Sequence, residues 1–142
     1  MSFELRDHTA DVAVEATAPT LSALFAAVAD GLAAASCDDV PAPDGECSEF
    51  EVDVAAEGLQ ALLFDYLDQL IYERDVRAVL PVDHEVRIAE PSGDADEWRL
   101  TGTYRGVPLG RVDAREVKAV TYSEMRIDET DDGWSAYVVF DV

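Results

Sequence analysis

The chain has 142 residues and a mass of 15.5 kDa, enough for one hydrophobic core and too little for two independent ones. Thirty-one acids against ten bases give a formal charge of −21, while 49% of residues are hydrophobic, so a strongly acidic folded domain is expected rather than a disordered chain. No run approaches the ~18 consecutive apolar residues that cross a bilayer, and the opening MSFELRDHTAD lacks the basic and apolar regions of a signal peptide. A soluble, cytoplasmic protein with no membrane partner is expected.

The charge narrows the function classes further. Lys118 is the sole lysine. Self-repulsion on this scale opposes a compact state at low ionic strength, whereas at ~1 M salt the Debye length falls to ~3 Å. The acids stand singly and in pairs rather than in long runs, which favours a halophilic chain, built for a high-salt cytoplasm, over a nucleic-acid mimic. Direct nucleic-acid binding is not expected, because no basic footprint is available to grip a phosphate backbone. Cys37 and Cys47 are too few for a disulfide framework, or for a zinc site unless His8 and His84 joined them, and read as ordinary thiols.

In chain order, residues 12–18 alternate as a strand that Pro19 ends. Thr20 is a plausible N-cap for a helix in which Leu21, Leu24, Phe25, Val28 and Leu32 form one apolar stripe, with Asp30-Gly31 weakening its last turns. Residues 38–47, with two prolines and a glycine among acids, read as a surface loop. Phe50, Val52 and Val54 alternate with polar residues as a half-exposed strand closed by Glu57-Gly58. Leu59, Leu62, Leu63, Tyr66, Leu67, Leu70 and Ile71 share one face of a core helix. From Val76 onward strand-like runs recur at residues 76–80, 84–89, 98–104, 117–125 and 134–142, separated by turn signals at Pro81, Pro91-Ser92-Gly93, Arg105-Gly106 and Asp131-Asp132-Gly133. This order predicts a single α+β domain over residues 1–142, two helices packed on a largely antiparallel β-sheet.

Phosphate loops, dinucleotide fingerprints, nucleophile elbows and C-x-x-C are all absent from the sequence, leaving carboxylate chemistry at two places. The first is Asp7-His8-Thr9-Ala10-Asp11, which as a bland reading is a turn with Asp7 and Thr9 capping backbone amides and His8 partly buried. The second is Val138-Val139-Phe140-Asp141-Val142, where an apolar strand brings the α-carboxylate beside the Asp141 side chain. Two such neighbours repel unless a cation, an amide cluster or water compensates, and Ca²⁺ or Mg²⁺ are the hard cations that oxygen donors of this kind bind.

The N-terminal D-H-T-A-D, the helix L-Q-A-L-L-F-D-Y-L-D-Q-L-I-Y, the V-K-A-V-T-Y block at residues 117–122 and the ending G-W-S-A-Y-V-V-F-D-V together resemble the archease family, collinearly over nearly the whole chain. The resemblance implies a non-enzymatic protein cofactor of the RtcB-type tRNA-splicing ligase, promoting guanylylation and multiple turnover of that ligase and broadening the nucleotide it accepts. It also implies a divalent metal ion, Ca or Mg, held by Asp11, Asp141 and the terminal carboxylate of Val142. Asp7 and His8 would support that site. Lys118 matches the lysine of the family's K-A-V-T-Y block, either as a salt-bridge partner of the acidic cluster or as a contact to nucleotide or ligase. The chain departs from the family at Ser123, where a histidine often stands, and in its short 106–115 loop. Two other classes use the same acids: a small metal-dependent hydrolase, which would turn over without a partner, and a general protein-modulating chaperone for RNA-modifying enzymes, which would capture other partners.

Overall fold

A computed structural model describes residues 2–7, 11–45, 47–93 and 96–142, without the side chains of Ser2, Leu5, Arg6 and Asp7. The described elements are β1 (Ser2–Asp7), β2 (Asp11–Ala18), α1 (Leu21–Ser36), β3 (Ser48–Ala56), α2 (Leu59–Arg77), β4 (Val79–Ala89), β5 (Trp98–Pro108), a 3₁₀ turn (Leu109–Arg111), β6 (Ala119–Thr130) and β7 (Gly133–Asp141). The strands form two antiparallel sheets in the orders β1-β2-β7-β6 and β3-β5-β4. Both helices pack against strands of both sheets, α1 chiefly on β2 and β4 and α2 chiefly on β3 and β6. The expected α+β class holds, with the strands divided between two sheets rather than joined in one.

Helix α1 starts where Thr20 Oγ1 accepts a hydrogen bond from the Ala23 N–H at 3.1 Å, the expected N-cap. It does not weaken at Asp30-Gly31 but continues to Ser36. A Cβ on Gly31 would lie 2.5 Å from Val14 Cγ1, so glycine is what lets the helix settle onto β2. Because α1 is wedged between two sheets, residues on several of its faces are buried, from Leu24, Phe25 and Val28 to Ala26, Ala33 and Ala35. Arg115 closes its far end, with Nε donating to the Ala35 carbonyl and the backbone N–H donating to that of Ser36, both at 2.7 Å.

Helix α2 buries the predicted face at Leu62, Leu63, Tyr66, Leu67, Leu70 and Ile71, and Tyr66 meets Phe25 of α1 with ring centroids 6.5 Å apart. It then continues through residues expected to start a strand. Val76 is helical and exposed, and the helix stops at Ala78 in a left-handed cap with φ 55°. Arg74 and Arg77 occupy the last turn, where cations favour the helix dipole. Arg77 also donates to the buried Glu73 carboxylate and lies over the Phe50 ring at 4.2 Å. Glu73 further accepts from the Tyr104 hydroxyl at 2.6 Å and the Gln69 amide at 2.9 Å, so this buried charge is fully engaged.

Two expected turns are strand. Pro81 lies within β4, tolerated because β4 is an edge of its sheet and the proline breaks no ladder on its free side. Arg105-Gly106 lies within β5, where Gly106 opposes both Ser48 and Pro81; a Cβ there would sit 2.9 Å from Val79. Of the expected turn at Pro91-Ser92-Gly93, Gly93 is in a turn with φ 58° while Ser92 forms a bridge; Asp131-Asp132 turn as expected, and Gly133 opens β7 with φ 142° and a would-be Cβ 2.3 Å from the Ala18 carbonyl oxygen. The first segment, left unassigned by the sequence, pairs with β2 as strand β1.

Candidate functional site

Asp11 opens β2 and Asp141 closes β7, and the two are direct partners in the antiparallel register. Side chains opposed in this way share a face, with Cβ atoms about 4.5–5.5 Å apart. On the other side of β7, Ala119 opposes Asp141, so the row across three strands reads Asp11, Asp141, Ala119. Two residues further in, on the same face, Ala13 opposes Val139 and both are buried, and Thr121 Oγ1 donates to the Val139 carbonyl at 2.9 Å. The two carboxylates therefore stand on a fixed floor at the end of a sheet.

Asp11 is half-buried, whereas Asp141 and Val142 are exposed. Like charges directly opposed across strands destabilise a sheet. Neither carboxylate has a cationic partner among the described residues. Lys118 reaches the site through its main chain, its N–H donating to the Asp141 carbonyl at 2.8 Å. Its side chain is exposed and forms no ion pair among the described residues, so there is no salt bridge there to neutralise the acids. His8 lies outside the described residues, and Asp7 is described by its main chain alone, ending β1 opposite Val12.

The donor set suits a hard divalent cation. Two opposed, accessible carboxylates supply oxygen ligands in the absence of a compensating side-chain cation. Among the described residues no group of three or more His, Cys, Asp and Glu side chains could hold a metal ion. The thiols are no alternative: Cys37 and Cys47 are free and buried, Cys37 Sγ donating to the Asp39 carbonyl and Cys47 Sγ to the Asp44 carboxylate.

A second polar cluster escaped the sequence reading. His84 of β4 is half-buried against Tyr66, Nδ1 lying 3.5 Å from the Tyr66 hydroxyl, and its buried Nε2 has no hydrogen-bond partner among the described residues. Burial lowers the His84 pKa to about 4, and burial together with the Asp30 charge pushes the Tyr66 hydroxyl above its ordinary value. Asp30 is itself raised to about 6 by burial and by Asp83. The available signal was an acid at position 30 inside the otherwise apolar run Ala29 to Leu32.

No helix of the described residues is long and apolar enough to cross a membrane. The Archease protein family model matches residues 3–142. Protein archease of Thermococcus gammatolerans is 35% identical over 99% of this chain and 98% of its own length, and that of Archaeoglobus fulgidus is 32% identical over the whole of both. The solution structure of Methanobacterium thermoautotrophicum protein 1598 superposes with a TM-score of 0.82 at 32% identity, covering 99% of this chain and 98% of that one. A crystal structure from Thermotoga maritima, described as an archease and possible chaperone, shares the fold with a TM-score of 0.64 at 23% identity, covering 96% and 94%. With the family model spanning both sheets and both helices, and relatives matching end to end, the chain belongs to the archease family.

Proposed function

We propose that this chain is a non-enzymatic activator of the RtcB-type tRNA-splicing ligase, acting through a divalent cation, Ca or Mg, held at the Asp11–Asp141 tip with the Val142 carboxylate. The observation that carries the reading is the register of β2 against β7, which opposes the two aspartates at one end of the sheet without a cationic partner among the described residues. A bound divalent ion would neutralise that pair and offer a positive centre to phosphate oxygens. The chain's own part is positional. The buried Ala13–Val139 row fixes the two carboxylates, and Lys118, exposed beside Asp141, brings a positive charge to the same end. Docked near the ligase's guanylylation centre, such a tip helps to arrange metal and nucleotide, while bond making stays with the ligase. The acidic composition accords with a halophilic cytoplasm, where salt screens the approach of this chain to RNA-bound ligase.

The test is single-turnover guanylylation of the cognate ligase with GTP and divalent metal in high salt. Stimulation is expected with this protein and not with Asp141→Ala, whose fold survives because an exposed group is removed and a like-charge contact relieved. Absence of stimulation by the unmodified chain refutes the ligase assignment; full stimulation by folded Asp141→Ala removes the tip from the mechanism. In metal titrations, extending the chain beyond Val142 converts its carboxylate to an amide and is expected to weaken binding, as is Asp11→Ala. Equal affinity of native and extended forms excludes Val142 as a ligand.

A further inference from the structure

A groove of about 300 Å³ lies where the second half of α1, the loop after it and β4 come together. Its walls include Phe3 of β1, Val40 and Pro41 of the loop and Val82 of β4. Phe3 and Val40 are 36% and 40% exposed, two of the few large apolar side chains that the described residues leave to solvent. Two carboxylates, Asp30 and Asp83, line the same groove. Asp83 sits where the β4 register shifts between Val82 and Glu85, in a left-handed conformation with φ 55°. Irregularities of this kind redirect a side chain out of the strand's alternation, and here the redirected group joins Asp30.

The pair is costly as it stands. Asp30 is half-buried beside a second acid, and its carboxyl is raised to about 6 by burial first and by Asp83 second. No lysine, arginine or histidine among the described residues pairs with either carboxylate. A cation arriving from outside would remove the repulsion. The walls beside the acids are hydrocarbon rather than oxygen donors, so a bare metal ion would be poorly served, and a surface of net charge −21 repels anionic lipid. An organic cation with an apolar neighbour suits both halves of the groove. Guanidinium suits them better than ammonium, because its planar fork bridges two carboxylates and is less strongly hydrated.

We propose that this groove docks a segment of a protein partner that presents an arginine beside an apolar residue, the guanidinium bridging Asp30 and Asp83 and the apolar side chain seated against Phe3 and Val40. The site is independent of the Asp11–Asp141 tip, and its test makes no use of ligase activity.

The full chain, labelled with ¹⁵N, is titrated with acetyl-Leu-Arg-Leu-amide, with the same peptide carrying neutral citrulline in place of arginine, and with arginine amide alone. Saturable shifts confined to amides around Asp30, Ala33, Val40 and Asp83 are expected with the arginine peptide. Affinity is expected to fall at least tenfold for the citrulline peptide and for arginine amide, and at least tenfold in Asp83→Asn. Asparagine tolerates the left-handed backbone, so that variant keeps the fold; Asp30→Asn, expected to weaken binding equally, provides a second check. Equal binding of the arginine and citrulline peptides overturns the charge pairing. Equal binding of arginine amide and the peptide overturns the docked segment. Shifts spread over the acidic surface and untouched by both variants overturn the site as a whole.

Discussion

Replacing Asp30 by asparagine should make the fold more stable at neutral pH. The carboxyl rises from its ordinary 3.8 to about 6 because α1 holds it half-buried and Asp83 faces it. At about 1.4 kcal/mol per tenfold change in proton affinity, ionising it in the folded state costs about 3 kcal/mol. Solvent reaches part of the group and screens the Asp83 charge, so about 1–2 kcal/mol is the expected net gain on removing the charge. For a chain of this size that raises the melting temperature by roughly 5 °C. The sign follows from linkage: a carboxyl whose folded pKa is raised binds its proton more tightly when folded, so its penalty is full above about pH 6 and vanishes below the unfolded value. Melting curves followed by circular dichroism in molar KCl should therefore show Asp30→Asn ahead of the natural chain at pH 7.5, with the gap closing towards pH 4. A variant that melts lower at pH 7.5, or a gap independent of pH, would refute the assignment of strain to this carboxylate.

Three further outcomes are expected. His84 titrates with the opposite sign: its pKa of about 4 in the fold lies below the ordinary 6.5, so the unfolded chain gains protons first and stability falls between about pH 6.5 and 4. His84→Leu should flatten that slope in acid melts. Tyr104→Phe removes a 2.6 Å donor from the buried Glu73 and should cost about 1–3 kcal/mol in denaturant titrations, with no change in the tip's metal affinity. Lowering KCl from molar to about 0.1 M, where the Debye length reaches ~10 Å, should lower the melting temperature; an unchanged value would defeat the halophilic reading.

What the sequence disclosed depended on how local the deciding contacts are. The α2 face from Leu59 to Ile71 is legible because one side of that helix meets the core and the other meets water, which prints a 3.6-residue period. The last turns of α1 are not, because Gly31 is accounted for by the distant Val14 and not by its helical neighbours. Val76 reads as strand by its branched side chain, and only the left-handed cap at Ala78 two residues later places the helix end beyond it. Pro81 reads as a turn until β4 is known to be an edge. Asp11 and Asp141 were each singled out by their local setting and by family likeness, yet their opposition is a matter of register between strands far apart in the chain. Asp30 and Asp83 were invisible as a pair for the same reason, and Asp30 also because it read locally as a weak helix end.

The placing of β7 between β2 and β6 has a consequence for how this molecule is made. During synthesis β1 and β2 emerge early, but the inner neighbour that β2 requires is the last strand of the sheet to leave the ribosome. The second sheet, β3-β5-β4, is complete well before then and can gather around α2, leaving the first hairpin with one bare edge. Closing the long loop back to β2 is the slow kind of step that non-local pairing imposes. Pairing of β7 with β2 both seals that exposed edge and brings Asp141 opposite Asp11. A nascent or truncated chain lacking β7 would carry an aggregation-prone edge and no tip, so the paired aspartates exist only in a molecule that has finished folding.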